Sequence, residues 1–230
     1  MNRSLEVCLI GLSLIAGVVA VGPGAAQTLQ KGVSVVMAPT TNAIPMSEAD
    51  NESAWIVTVV RDGTLYFGTD QVTVARLEEK MKVTPRNRQA KLYIKADARA
   101  HFADVERVLQ VGKAMLFESA VLLTSQPEQP APGKIVPPKG LEVLVGATHP
   151  AEAIILQVLN HGEPKPTVLV DNADVSIDVL QNTLGRMLRN RHSDVVVLKA
   201  DGSLAFAQVA RVIDACRGAG VKVVVEKPEV

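Results

Sequence analysis

Two charged corners are the best candidates for chemistry in this chain. Lys95-Ala96-Asp97 closes one apolar run, and Lys199-Ala200-Asp201 closes another 104 residues later. A lysine at a strand end is placed to hold a ligand carboxylate. An aspartate that recurs at the same point has the form of a repeated acid. The plainer reading is that each aspartate turns or caps the chain between a strand and a helix, and that each lysine is a solvated strand end. Lys95, Asp97, Lys199 and Asp201 are therefore candidate contacts for a partner or ligand, with no catalytic assignment. The histidines, His101, His149, His161 and His192, have no second His, Cys or acid at a metal-ligand spacing. There is no phosphate-cradling glycine loop and no nucleophile elbow. Cys8 lies in the N-terminal apolar segment, away from Cys216. Cys216 falls on the apolar face of a predicted helix and reads as a small buried hydrophobe rather than a reactive thiol. The expectation is a protein without enzymatic activity, cofactor or metal.

The elements around the corners repeat. Phe102 matches Phe206, and Val105 and Val108 match Val209 and Val212, in the same register as the Lys-Ala-Asp tripeptides. Val72, Thr73 and Leu77 match Val175, Ser176 and Leu180, and Gly32-Val33-Ser34-Val35-Val36 is similar to Gly140-Leu141-Glu142-Val143-Leu144. A strand, turn, helix and strand matched in order point to an internal duplication.

In 230 residues there is room for two small domains. The 24 basic residues balance the 24 acidic ones, so no positive stripe is available for nucleic acid. Aromatics at 3% exclude stacking platforms for single strands. At the N-terminus Arg3 precedes an apolar run over 7–21, and Gly22-Pro23-Gly24-Ala25-Ala26 leads to Gln27. This describes a signal peptide cleaved after Ala26. The twenty uncharged residues of 7–26 are also just long enough to span a bilayer as an anchor. Either reading places the bulk of the chain outside the cytoplasm.

In the first unit, 32–124, an edge strand is expected at 32–37, a loop at 40–53, and a hairpin turned by Arg61-Asp62-Gly63. A helix capped by Thr73 follows, then a strand at 91–95, a helix through Val105 and Gly112, and a strand at 120–123. Residues 125–140 hold Pro127, Pro130, Pro132, Pro137 and Pro138, which reads as a stiff linker able to extend on the order of 50 Å. The second unit, 141–230, has strands at 141–145, 153–159 and 167–170, and a helix capped by Ser176. A strand at 195–198, a helix stopped by Gly218 and Gly220, and a strand at 221–225 complete it. The strands 33–37 and 141–145 are expected to be exposed. The fold class is α+β: two similar two-layer domains, each a small mixed sheet with two helices on one face, behind an N-terminal apolar helix.

Three stretches carry a resemblance. They are Leu29-Gln30-Lys31-Gly32-Val33-Ser34-Val35, the hairpin 57–68 (VTVVRDGTLYFG), and the strand, Lys-Ala-Asp, helix, strand block, clearest over 197–225. In this order they resemble the ExbD/TolR family of biopolymer transport proteins, with the second unit similar to another copy of the family's periplasmic domain. The resemblance implies an energy-coupling role beside an ExbB/TolQ-like proton channel, work passed to a TonB- or TolA-like protein, and in some members contact with peptidoglycan. It also implies a membrane-helix aspartate in proton flow. Here that position falls near Gly11-Leu12, and no acid lies in 7–26, so no residue inherits the role. Family domains are thought to work as dimers, so one fused chain is expected to form an intramolecular pseudo-dimer. The alternative is a free periplasmic module that binds cell wall or protein.

Overall fold

The computed structural model describes residues 32–85, 90–125, 137–145, 150–189, 191 and 193–227. The signal or anchor segment 1–26 with Cys8, the stretch 28–31, Arg86-Asn87-Arg88, most of the proline-rich connector, and His149 and His192 lie outside them. The described strands are β1 (Ile44–Pro45), β2 (Trp55–Val59), β3 (Leu65–Phe67), β4 (Asp70–Val72), β5 (Leu92–Ala96), β6 (Ser119–Thr124), β7 (Lys139–Leu144), β8 (Ile154–Leu159), β9 (Thr167–Val170), β10 (Ala173–Asp174), β11 (Val195–Ala200) and β12 (Lys222–Glu226). The helices are α1 (Val74–Val83), α2 (Phe102–Ala114), α3 (Ile177–Leu188) and α4 (Phe206–Gly218), with a short 3-10 helix at Ser47–Asp50. Among the described residues, no helix is long and apolar enough to cross a membrane.

Local sequence explains most of these elements. Asp62 Oδ1 accepts from the Thr64 amide at 3.0 Å, which closes the Asp-Gly turn and pairs Val59 with Leu65. In the second repeat Asp171 and Asn172 both have positive φ, the form a two-residue hairpin needs, and Val170 pairs with Ala173. The third strands β4 and β10 escape sequence reading because each is only two or three residues long. Thr73 and Ser176 cap α1 and α3 as expected, accepting from the amides of Arg76 and Asp178. At the end of α4 the Val221 amide donates to Cys216 and the Gly220 amide to Arg217, with Gly220 at φ +81°. That is the helix stop for which glycine is suited.

The expectation of two small sheets gives way to one. The strand order is β10-β9-β8-β11-β12-β7-β6-β5-β2-β3-β4, with β1 beside β7. The strand β7 forms the junction. It runs antiparallel to β6 over six residue pairs. Its other edge is shared between β1 and the end of β12. The segment 141–145 is thus central rather than exposed, and Leu141 and Val143 are fully buried. Thr124 pairs with Lys139, so the proline-rich connector begins and ends at neighbouring points and does not hold two bodies apart. Gly140 permits the seam: a Cβ there would stand 2.4 Å from Val121 Cγ1 and 3.2 Å from the Leu122 carbonyl.

The matching segment at 32–37 does not form the expected edge strand. It makes only an isolated bridge, Met37 to Asp97, and Pro39 bridges Ser125. The reason is occupancy. The place beside β6 that a first-repeat strand would take is filled by β7. Displaced from it, the arm 36–45 crosses the ends of β5 and β6, reaches α4, and returns as β1.

Strand side chains alternate between two faces. Ile94, Ala96, Val196, Leu198 and their neighbours join residues from all four helices in one continuous core, which includes fully buried Phe102 and Phe206. On the opposite face of the first repeat, Met46 and Ala49 cover Ile56, Tyr93, Val121 and Leu123.

Candidate functional site

The four corner residues sit where β5 and β11 hand over to α2 and α4, and there the two repeats meet. The Phe102 amide donates to the Leu204 carbonyl at 2.8 Å, and the Phe206 amide donates to the Ala100 carbonyl at 2.8 Å. The Ala103 amide donates to Gly202, and the Ala207 amide to Ala98. Each bond has its partner under the same 104-residue shift that relates the repeats. His101 and Ala205 face each other as an isolated antiparallel bridge. The two corners therefore exchange backbone bonds reciprocally, as the two halves of a twofold contact do.

The aspartates are engaged in their own turns. The Asp97 carboxylate accepts from the Arg99 amide (3.0 Å), Arg99 Nε (2.9 Å), Arg99 Nη2 (3.0 Å) and the Val36 amide (3.3 Å). The hydrogen bonds from the Arg99 side chain are the main cause that holds its pKa down to about 2. Asp201 accepts from the Ser203 amide (2.8 Å) and hydroxyl (2.7 Å), and those bonds lower its pKa. Both are side-chain-to-backbone turns two residues long.

The lysines point to the face opposite the four α-helices. Lys95 pairs in register with Thr58 and Leu123, is 4% exposed, and has its pKa lowered by burial. Beside it the Thr58 hydroxyl is buried with no hydrogen-bond partner among the described residues. Lys199 pairs with Gln157 and Glu226 and is half-buried. The buried-hydrophobe reading of Cys216 agrees with the structure: it is fully buried, and burial pushes its thiol up to about 12.

Sequence reasoning passed over two acids. Asp214, on α4 and 6% exposed, receives the arm of the first repeat. It accepts from the amides of Thr41 (3.1 Å) and Asn42 (2.7 Å) and from the Thr41 hydroxyl (2.9 Å). The first-repeat counterpart is Gln110, so the alignment of repeats does flag the change. Glu106, on α2 and 8% exposed, stands where the second repeat has Ala210. Among the described residues, no group of three or more His, Cys, Asp or Glu is placed to hold a metal ion.

A family model described as biopolymer transport protein ExbD/TolR matches the chain twice, over residues 25–128 and 121–226. The chain belongs to the ExbD/TolR family. The two matches fall on the two repeats, consistent with a tandem duplication. No curated protein and no solved structure gives a significant match. For an ExbD/TolR chain the family implies an energy-coupling role in biopolymer transport, generally beside ExbB/TolQ and TonB/TolA partners.

Proposed function

We propose that the chain is a non-enzymatic ExbD/TolR-type component or accessory of a proton-motive-force-driven inner-membrane transport system, acting through protein–protein contacts in the periplasm. The observation that carries this reading is the family match over both repeats, and the reciprocal exchange at the paired corners supports contact between them. Two copies of a family domain, 32–124 and 141–230, are joined there as a pseudo-dimer within one polypeptide. The segment 7–26 either anchors the chain or is removed near Ala26. It holds no acid, so the chain follows the channel without conducting protons itself. Lys95, Asp97, Lys199 and Asp201 mark the proposed contact region, in which the two aspartates are held by their own turns and Lys95 is almost wholly buried.

The test is co-purification of the tagged full chain from native membranes. The reading expects an ExbB/TolQ-like channel subunit in the eluate. Recovery from the soluble periplasm, with retention on peptidoglycan sacculi and no channel subunit, would replace it with a free wall-binding module.

A further inference from the structure

The repeats serve as each other's control, and they differ most tellingly on the faces of α2 and α4 that meet α1 and α3. Ala210 on α4 is fully buried in the common core. At the same position on α2, Glu106 is nine-tenths buried, and its Oε1 has no hydrogen-bond partner among the described residues. Around it lies a groove of about 220 Å³, with Val74 and Val111 as apolar walls and Glu78, Gln110 and Lys227 at the rim. Arg107, also at the rim, is committed to Asp104 by an ion pair. Burial raises the Glu106 pKa, and the charge of Lys227 partly offsets that rise. A carboxylate oxygen removed from water with no hydrogen-bond donor on it, as Oε1 is here, destabilises a fold even with the Lys227 charge nearby. The second repeat shows that alanine suffices where packing alone is at stake.

We propose that this groove is a binding site for a primary ammonium at the end of an apolar stem, the group a lysine side chain carries. Glu106 is the charge partner, Glu78 adds a second carboxylate at the mouth, and Val74 and Val111 flank the methylenes. A charge-assisted bond to a desolvated carboxylate is among the stronger contacts a small site can make. The proposal goes beyond the energy-coupling reading and does not depend on it.

The test uses the full chain in detergent with labelled valine methyls. It is titrated with N-acetyl-lysine methylamide, with 1,5-diaminopentane, and with N-acetyl-norleucine methylamide as the uncharged control. Saturable shifts of the Val74 and Val111 methyls are expected with the lysine compound, and binding at least about tenfold weaker with norleucine. E106Q should weaken lysine binding by about tenfold or more, and E106A should raise the melting temperature. Binding of the diamine alone upholds the site and assigns it to a free amine rather than to a polypeptide. Equal binding of norleucine, an unaffected E106Q, or a lower melting temperature in E106A would each overturn the proposal.

Discussion

Leu116 shows how far backbone form can outlast the residue suited to it. It matches Gly220, and the end of α2 repeats the end of α4: the Phe117 amide donates to Gly112, and the Leu116 amide to Lys113. Leu116 therefore sits at φ +60° with its side chain 83% exposed. The left-handed region costs an L-residue roughly 1–2 kcal/mol, and the exposed side chain gives little in return. Leu116→Gly is expected to stabilise the chain by about 1 kcal/mol, offset in part by glycine's greater freedom when unfolded, as read by chemical denaturation. Asp97 gives a pH signature. Its pKa falls from 3.8 to about 2 on folding. Its stabilisation is then complete above about pH 4 and lost as pH drops through 2. Arg99 is half-exposed, so screening leaves a contribution on the order of 1–2 kcal/mol. The stability gap between wild type and Asp97→Asn should be full at pH 6 and should narrow steadily from pH 4 to pH 2. A gap that does not change with pH would mean the carboxylate's charge is not what stabilises the corner. The Lys-Ala-Asp tripeptides were legible as turn-forming strand ends because aspartate after a strand and before a helix has a local mechanism. That Glu106 Oε1 is buried with no hydrogen-bond partner among the described residues was not legible, because burial of a helix residue depends on the neighbouring helix.

Among the elements, the helices, their caps and the hairpins followed from periodicity and turn chemistry. The fate of the two equivalent glycine-led segments did not. Gly32-Val33-Ser34-Val35-Val36 and Gly140-Leu141-Glu142-Val143-Leu144 have similar patterns, yet one becomes the central strand and the other an arm. Competition for one place in a sheet has no local sequence signal. The displaced arm is held by Asp214, whose carboxylate meets Thr41 and Asn42. Asp214→Ala removes a charged acceptor and leaves two backbone amides to find water. It is expected to cost about 2–3 kcal/mol and to expose the 38–45 amides to hydrogen exchange. Unchanged protection there would show that the bridge to Ser125 and the β1 pairing hold the arm without help from α4.

For the whole molecule, duplication was legible and its consequence was only partly so. The proline-rich stretch reads as a stiff, extended linker, because composition reports stiffness and says nothing of where the flanking residues lie. Thr124 and Lys139 are in fact paired, and the sheet is continuous across the repeats. The pseudo-dimer requires that the paired corners meet within one chain. His101 and Ala205 face each other across the repeats, and residues opposed in this way have Cα atoms about 4.5–5.5 Å apart, within the span of a disulfide. The double variant His101→Cys, Ala205→Cys of the full chain, oxidised at low concentration and run without reductant, tests that requirement most directly. A cross-linked species at monomer mass is predicted. A covalent dimer, with no intrachain product, would contradict it.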